Sequence, residues 1–248
     1  GRYAAAPYAL AAALLVLSIL LLGISPVHPP ADNRKAHPVR QILDGFSYVR
    51  GSRFLLGCIT LDLFAVLLGG ATALLPVFAR DILMVGPEGL GQMRAAAALG
   101  AVAVGLWLSI RPIAHDVGVK MLGGVAIYGA ATLAFGLSRW LPFSLAMLAL
   151  LGAGDMISVF IRNSLVQLNT PDAVRGRVQA ISSLAISASN ELGEMQSGLA
   201  AALLGATGAV VFGGAGAIVV TIAWAILFPE LARTKTFAAH YRQPEAAT

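Results

Sequence analysis

Runs of about 20 apolar residues, separated by short polar connections, recur along the whole chain, and each run is long enough to cross roughly 30 Å of hydrocarbon. They cover residues 4–24, 54–78, 90–110, 118–137, 141–162, 178–204 and 208–228. Inside a bilayer every backbone N–H and C=O must be satisfied internally, and continuous runs of this length do that as helices. The expected fold is all-α, a polytopic membrane helix bundle with seven transmembrane helices. Composition agrees: 58% hydrophobic against 12% charged residues, with a mean hydropathy of +0.80, is far from a soluble balance.

The connections set the orientation. Arg34, Lys35, Arg40, Arg50 and Arg53, Arg111 and Lys120, Arg162, Arg175 and Arg177, and Arg233, Lys235 and Arg242 fall on one side, 13 in all. Only Arg2, Arg80, Arg94 and Arg139 fall on the other. The positive-inside rule makes the first side cytoplasmic and puts the carboxyl terminus there. The same distribution explains the basic balance without a nucleic acid, because the cations sit in loops and not along one face. The chain begins with Gly1, and the first run lacks the basic lead of a signal peptide. We expect a piece of a longer protein.

Residues 25–53 form the longest connection, where Pro26, Pro29, Pro30 and Pro38 prevent a continuous helix through the first half. Beyond them Val39, Ile42, Leu43, Phe46 and Val49 recur at helical spacing, which predicts an interfacial helix. The resulting organisation is a peripheral helix over 1–24, a cytoplasmic linker with an interfacial helix over 25–53, a six-helix body over 54–228 and a cytoplasmic tail over 229–248.

Ionisable residues inside the runs are costly and by default mark function. Asp62 lies in the second run, Asp155 in the fifth, and Glu191 with Glu194 in the sixth. At 1.5 Å per residue from the cytoplasmic ends their depths are about 14, 12 and 20 Å. Glu191 and Glu194 are three residues apart on one helix face, and Asn190 precedes Glu194 by four. Two carboxylates so close in a low dielectric resist simultaneous ionisation, as a proton carrier requires. We expect Asp62, Asp155, Asn190, Glu191 and Glu194 on a substrate or proton pathway. The bland reading makes them packing elements held by Ser187, Ser189 and Gln196.

Arg162 lies seven residues after Asp155, two turns along the same face. Thr170 with Pro171 reads as the cap and first position of the next helix, and Asp172 and Arg175 are spaced to pair. Together with Arg177, the residues Arg162, Asp172 and Arg175 form the expected cytoplasmic gate; the competing reading is that the arginines only enforce topology. His115 and Asp116 are further gating candidates. Pro76 is placed to kink the second run.

Other classes fit poorly. A retinal protein needs a lysine within a span, yet Lys35, Lys120 and Lys235 are in connections or the tail. An intramembrane enzyme needs a nucleophile and base or metal ligands, while His28, His37, His115 and His240 lie outside the runs and Cys58 is the single cysteine. No phosphate loop is present to hold a nucleotide, so no cofactor and no metal are expected. The alternatives kept are a non-transporting membrane scaffold or interaction half and, behind it, a seven-helix receptor-like protein.

The stretch GDMISVFIRNSLVQLNTPDAVRGRVQAISSLAISASNELGEMQSG from Gly154 resembles the tenth and eleventh helices of the major facilitator superfamily, in its enterobactin-exporter-like, or transmembrane secretion effector, branch. LDLFAVLLGGATALLPVFARDIL from Leu61, followed by GPEGLGQMRAAAALGA, resembles the seventh and eighth. RPIAHDVGVK departs from the family's loop signature in lacking paired basic residues after the glycine. The resemblance implies that the seven runs are helices six to twelve of a twelve-helix secondary transporter of the bacterial inner membrane. It implies proton-coupled export of a siderophore-like or drug-like molecule by alternating access, with helices seven, eight, ten and eleven lining the cavity. It further implies a missing amino-terminal six-helix half as partner, without which the chain should not transport.

Overall fold

The computed structural model describes residues 12–13, 15–20 and 38–237. Two compact units divide the chain, residues 1–36 and 37–248. In the first, residues 15–20 are helical, and most of the first expected span lies outside the described residues. In the second, the described residues form helices and turns with no strand.

Helix α1, Pro38–Gly51, starts on a proline, whose fixed φ and missing N–H suit a first helical position. Of the apolar set expected on it, Val49 is buried but Leu43 and Phe46 are exposed. Gly45 explains the difference: a Cβ there would come within 3.1 Å of the Arg177 carbonyl oxygen, so the backbone itself is the contact face. Helix α2, Arg53–Gly69, follows at once, its amino end closed by Ser52, whose hydroxyl accepts from the Leu55 N–H at 3.4 Å.

At Gly70, φ −55° and ψ 39°, α2 leaves regular geometry. It continues as a tight turn over Ala71–Leu74, a short α turn over Leu75–Val77 and a wide turn over Phe78–Ile82. The irregularity expected at Pro76 is therefore spread from Gly70 onward. Three regular helices come next: α3, Gly86–Ile110; α4, Val117–Leu137; and α5, Leu141–Leu168. The helix of the fifth expected span runs six residues past 162, through Asn163, Ser164 and Gln167, and ends at Leu168.

The end of α5 corrects the reading of Thr170. Its hydroxyl donates backward to the Val166 carbonyl at 2.6 Å, and the Asn169 amide donates to Leu165 at 2.9 Å. The Thr170 hydroxyl serves a carbonyl of the last turn of α5, and the Asn169 side chain shares the Leu165 carbonyl with its own backbone N–H. The next helix begins at Asp172 after Pro171, with no side chain capping it.

Helix α6, Asp172–Leu227, has 56 residues, a contour of about 84 Å at 1.5 Å per residue, so it cannot be one crossing. Gly205, at φ 73° and ψ 164°, breaks it into arms over 172–204 and 206–227. Such a φ is open to glycine at little cost and to other residues only with strain. Gly193, before the break, lies on the backbone of Val66, and Gly213, after it, on Leu68. Both arms therefore pack on the same part of α2, and the chain reverses at Gly205. Among the described residues five stretches are long and apolar enough to cross a membrane, the last of them holding both arms.

The second arm is also tied to the start of α2. Trp224 Nε1 donates to Thr60 Oγ1 at 3.2 Å and Arg53 donates to the Leu227 carbonyl at 3.0 Å. A short helix α7, Pro229–Ala232, turns the tail so that Gly118 N–H donates to the Thr234 carbonyl at the amino end of α4. Among the described residues the apolar core has two parts. Leu55, Leu61, Met121, Ile161 and Leu165 belong to one, and Phe78, Met93, Phe135 and Leu148 to the other.

Candidate functional site

Among the residues of the first apolar cluster, the bundle buries charge. Asp62 on α2 and Arg162 on α5 are 5% and 2% exposed, and Arg162 Nη2 stands 3.4 Å from Asp62 Oδ2. Moving a carboxylate and a guanidinium out of water costs several kcal/mol each, repaid only by close pairing and further hydrogen bonds. Here the further bonds are incomplete. Arg162 Nε and Nη1 and Ser158 Oγ are buried and make no hydrogen bond among the described residues.

A third charge adjoins the pair. Asp155, two turns before Arg162 on α5, lines with Asp62, Tyr128 and Ser158 a cavity of about 10 Å³, the size of roughly one water molecule. Tyr128 on α4 closes it, its hydroxyl donating to the Gly69 carbonyl at 2.9 Å, beside the residue where α2 becomes irregular. The group thus holds two carboxylates, one guanidinium and two hydroxyls drawn from α2, α4 and α5. With both carboxylates ionised it carries net charge −1, and with one protonated it is neutral. A proton gained or lost here changes the energy of burying the whole group.

The depth of Asp155 changes with the length of α5. Counted from Leu168 it is about 20 Å from the helix end and not 12 Å. Asp62 keeps its place, nine residues from Arg53. Arg162, expected in the cytoplasmic gate, is the buried partner of Asp62.

The remaining expected residues lie elsewhere. Asn190, Glu191 and Glu194 are exposed on the first arm of α6 and are not brought to the Asp62 group. The adjoining face of that arm, with Ser182, Ser189, Gly193 and Ser197, is buried, and Gly193 and Ser197 meet α2 at Gly70. The exposed side is itself divided. Gln179, Ser183, Ser187, Asn190 and Glu194 follow one another at helical spacing with Glu191 at their edge, while Leu184, Leu192, Met195 and Leu199 form a parallel apolar strip.

Asp172 and Arg175 pair as expected, Oδ1 to Nη2 at 2.6 Å. Arg175 also donates to the carbonyls of Gln167 at 3.2 Å and Thr170 at 3.3 Å, placing a cation at the carboxyl end of α5 where the helix dipole favours it. Arg177 sits where Gly45 of α1 approaches. The four residues expected in one gate are thus an interior cation, an α5–α6 clasp and an α1 contact.

Three residues of interest escaped the sequence reading. Tyr128 and Ser158 carry no charge to betray them in an apolar run. Arg94 was counted with an outer connection, yet it lies about 12 Å into α3 and is exposed there. Its position inside the third run was the available signal. Among the described residues no group of three or more histidine, cysteine or acidic side chains is arranged to hold a metal.

Comparison with known proteins adds to this geometry. The family model of the Major Facilitator Superfamily matches residues 2–194. The enterobactin exporter EntS of Citrobacter koseri is 30% identical over 246 residues, 96% of this chain and 55% of that protein. Those of Escherichia coli O1:K1 and Shigella boydii serotype 18 are each 30% identical, covering 82% of this chain and 47% of the relative. The chain spans about half the length of these relatives. No solved structure matches it significantly.

Proposed function

Since this chain belongs to the major facilitator superfamily, a family of multi-pass membrane transporters, we propose that it supplies the carboxyl-terminal half of a proton-coupled exporter acting by alternating access. Its seven runs then stand for helices six to twelve of a twelve-helix protein of the bacterial inner membrane, with the carboxyl terminus in the cytoplasm. The cargo is a siderophore-like or drug-like organic molecule, a reading supported by the names of the enterobactin exporters it resembles. The amino-terminal half supplies the facing wall of the pathway.

One observation carries this reading: the buried Asp62–Arg162 pair, with Asp155 lining the same small cavity as Asp62. When the group is closed off from water, the neutral, protonated form is cheaper to bury than the form with net charge −1. Opening toward water on either side removes that bias and lets the proton leave. Proton binding and closure therefore favour each other, which is the coupling an antiporter needs. Asp155 is the proton-carrying member, because Arg162 already neutralises Asp62.

The polar strip of α6, with Asn190, Glu191 and Glu194, faces the cargo pathway, and its apolar neighbour strip faces lipid or the other half. Arg94 on α3 offers a cation for a negative part of the cargo. Asp172, Arg175 and Arg177 fasten the cytoplasmic ends of α5 and α6 and set how far they part.

The test is efflux from an exporter-deficient bacterium carrying the full-length gene. Candidate siderophores are followed across imposed proton gradients, in the wild type and in Asp155→Asn. Efflux that falls when the gradient collapses, and loses that response in the variant, supports the reading. Efflux indifferent to the gradient rules out proton coupling.

A further inference from the structure

Helices α3 and α4 both lean on α5. A Cβ at Gly152 of α5 would run into the Ala97 carbonyl of α3, and one at Gly124 of α4 would stand 2.8 Å from the Gly154 carbonyl of α5. Held this closely to a common neighbour, α3 and α4 leave a groove between them at the carboxyl end of α3. It encloses about 560 Å³, within the range of sites that bury a small ligand.

The groove has a chemical polarity. Its inner part is apolar, walled by Trp107 and Ile127 and floored by Ile157. Gly123 keeps it open, since a Cβ there would meet no atom within 4 Å. Its mouth, at the connection from α3 to α4, carries Arg111, His115 and Lys120. The Lys120 ammonium donates to the His115 carbonyl at 2.7 Å, which holds it at the rim. Asp116 is the acidic neighbour, and its carbonyl accepts from the Lys120 N–H at 3.0 Å. Arg111 and Lys120 against Asp116 leave a net positive rim.

We infer that this groove binds one anionic phospholipid of the cytoplasmic leaflet, its phosphate at Arg111 and Lys120 and one acyl chain along Gly123, Ile127 and Ile157. Charge complementarity selects the occupant. An apolar slot that opens at a span end beside two cations matches a molecule with a hydrocarbon tail and a phosphate at headgroup depth. The cytoplasmic leaflet also supplies anionic lipid, and the leaflet assignment rests on the orientation proposed above. None of the groove residues belongs to the Asp62 group.

The test titrates the purified, delipidated full-length protein with dioleoyl-phosphatidylglycerol or dioleoyl-phosphatidylcholine and reads bound lipid by native mass spectrometry. With two basic side chains each contributing as a surface cation does, the tightest site should prefer phosphatidylglycerol about thirtyfold. Arg111→Gln with Lys120→Gln should abolish that preference. Gly123→Leu, which fills the slot without a backbone clash, should weaken phosphatidylglycerol binding at least several-fold while the lipid-free melting temperature stays in place. Equal binding of the two lipids by the wild type overturns the inference whatever the variants do. So does unchanged binding in Gly123→Leu, or complete displacement by soluble glycerol phosphate, which would reduce the site to a phosphate rim. An impermeant thiol reagent that labels Ala114→Cys only from outside the cell overturns the leaflet assigned here, and the efflux assay is independent of all these results.

Discussion

Arg162 shows how one side chain can belong to two roles until its partner is known. From its spacing it extends the face of Asp155 toward the cytoplasm, yet it turns across to α2 and pairs with Asp62. Removing the cation alone strands a buried carboxylate. Arg162→Met should therefore cost about 3–5 kcal/mol, read as a lowered melting temperature of the full-length protein in detergent. Adding Asp62→Leu should restore most of that loss, since an apolar pair of similar volume needs no desolvation. The same double variant should lose gradient-dependent efflux, and if it kept it, Asp62 and Arg162 would be structural only. Glu191→Gln with Glu194→Gln belongs to a different surface. It should leave stability nearly unchanged, because both residues are exposed, and should reduce transport. Full, normally pH-dependent efflux in that double variant would remove both from the pathway.

At the scale of elements, glycines decide how closely helices meet and where they turn. Gly193 meets the backbone of α2, where a Cβ would lie 2.9 Å from the Val66 carbonyl. Gly193→Leu must push α2 and α6 apart and should cost about 1–3 kcal/mol, the range for overpacking a close contact. Gly205→Ala meets open space instead, and its penalty comes from the backbone: φ 73° with ψ 164° lies in a region essentially confined to glycine, at a cost of about 1–3 kcal/mol. Chemical or thermal melts should show a loss in each variant, and a Gly205→Ala protein as stable as the wild type would mean that the turn relaxes to accept a side chain. The clasp at Arg175 is a smaller effect. It spans the α5–α6 connection through two carbonyls and Asp172, so Arg175→Ala should speed proteolytic cutting near Asn169 more than it lowers the melting temperature.

For the whole molecule, apolar runs and basic connections were legible without a structure. The runs imposed helices because lipid offers the backbone no other partner, and the helices over 53–82, 86–110, 117–137 and 141–168 follow them closely. The break between the last two runs was also legible, although only backbone geometry singled out Gly205. Charges inside runs marked Asp62 and Asp155 as unusual, since a buried carboxylate is expensive wherever it lies. What pairs with them was not legible. Sequence spacing relates residues on one helix, whereas the Asp62–Arg162 contact, the Tyr128 bond to Gly69 and the groove beneath Trp107 each join different helices. Those contacts depend on helix rotation and separation, which the glycines and the packed side chains settle together. Glu191 and Glu194 mark the same boundary from the other side: their shared helix face was fixed by the 3.6-residue period, but that this face stays exposed and apart from Asp155 was decided by the small residues behind it, which seat the arm on α2.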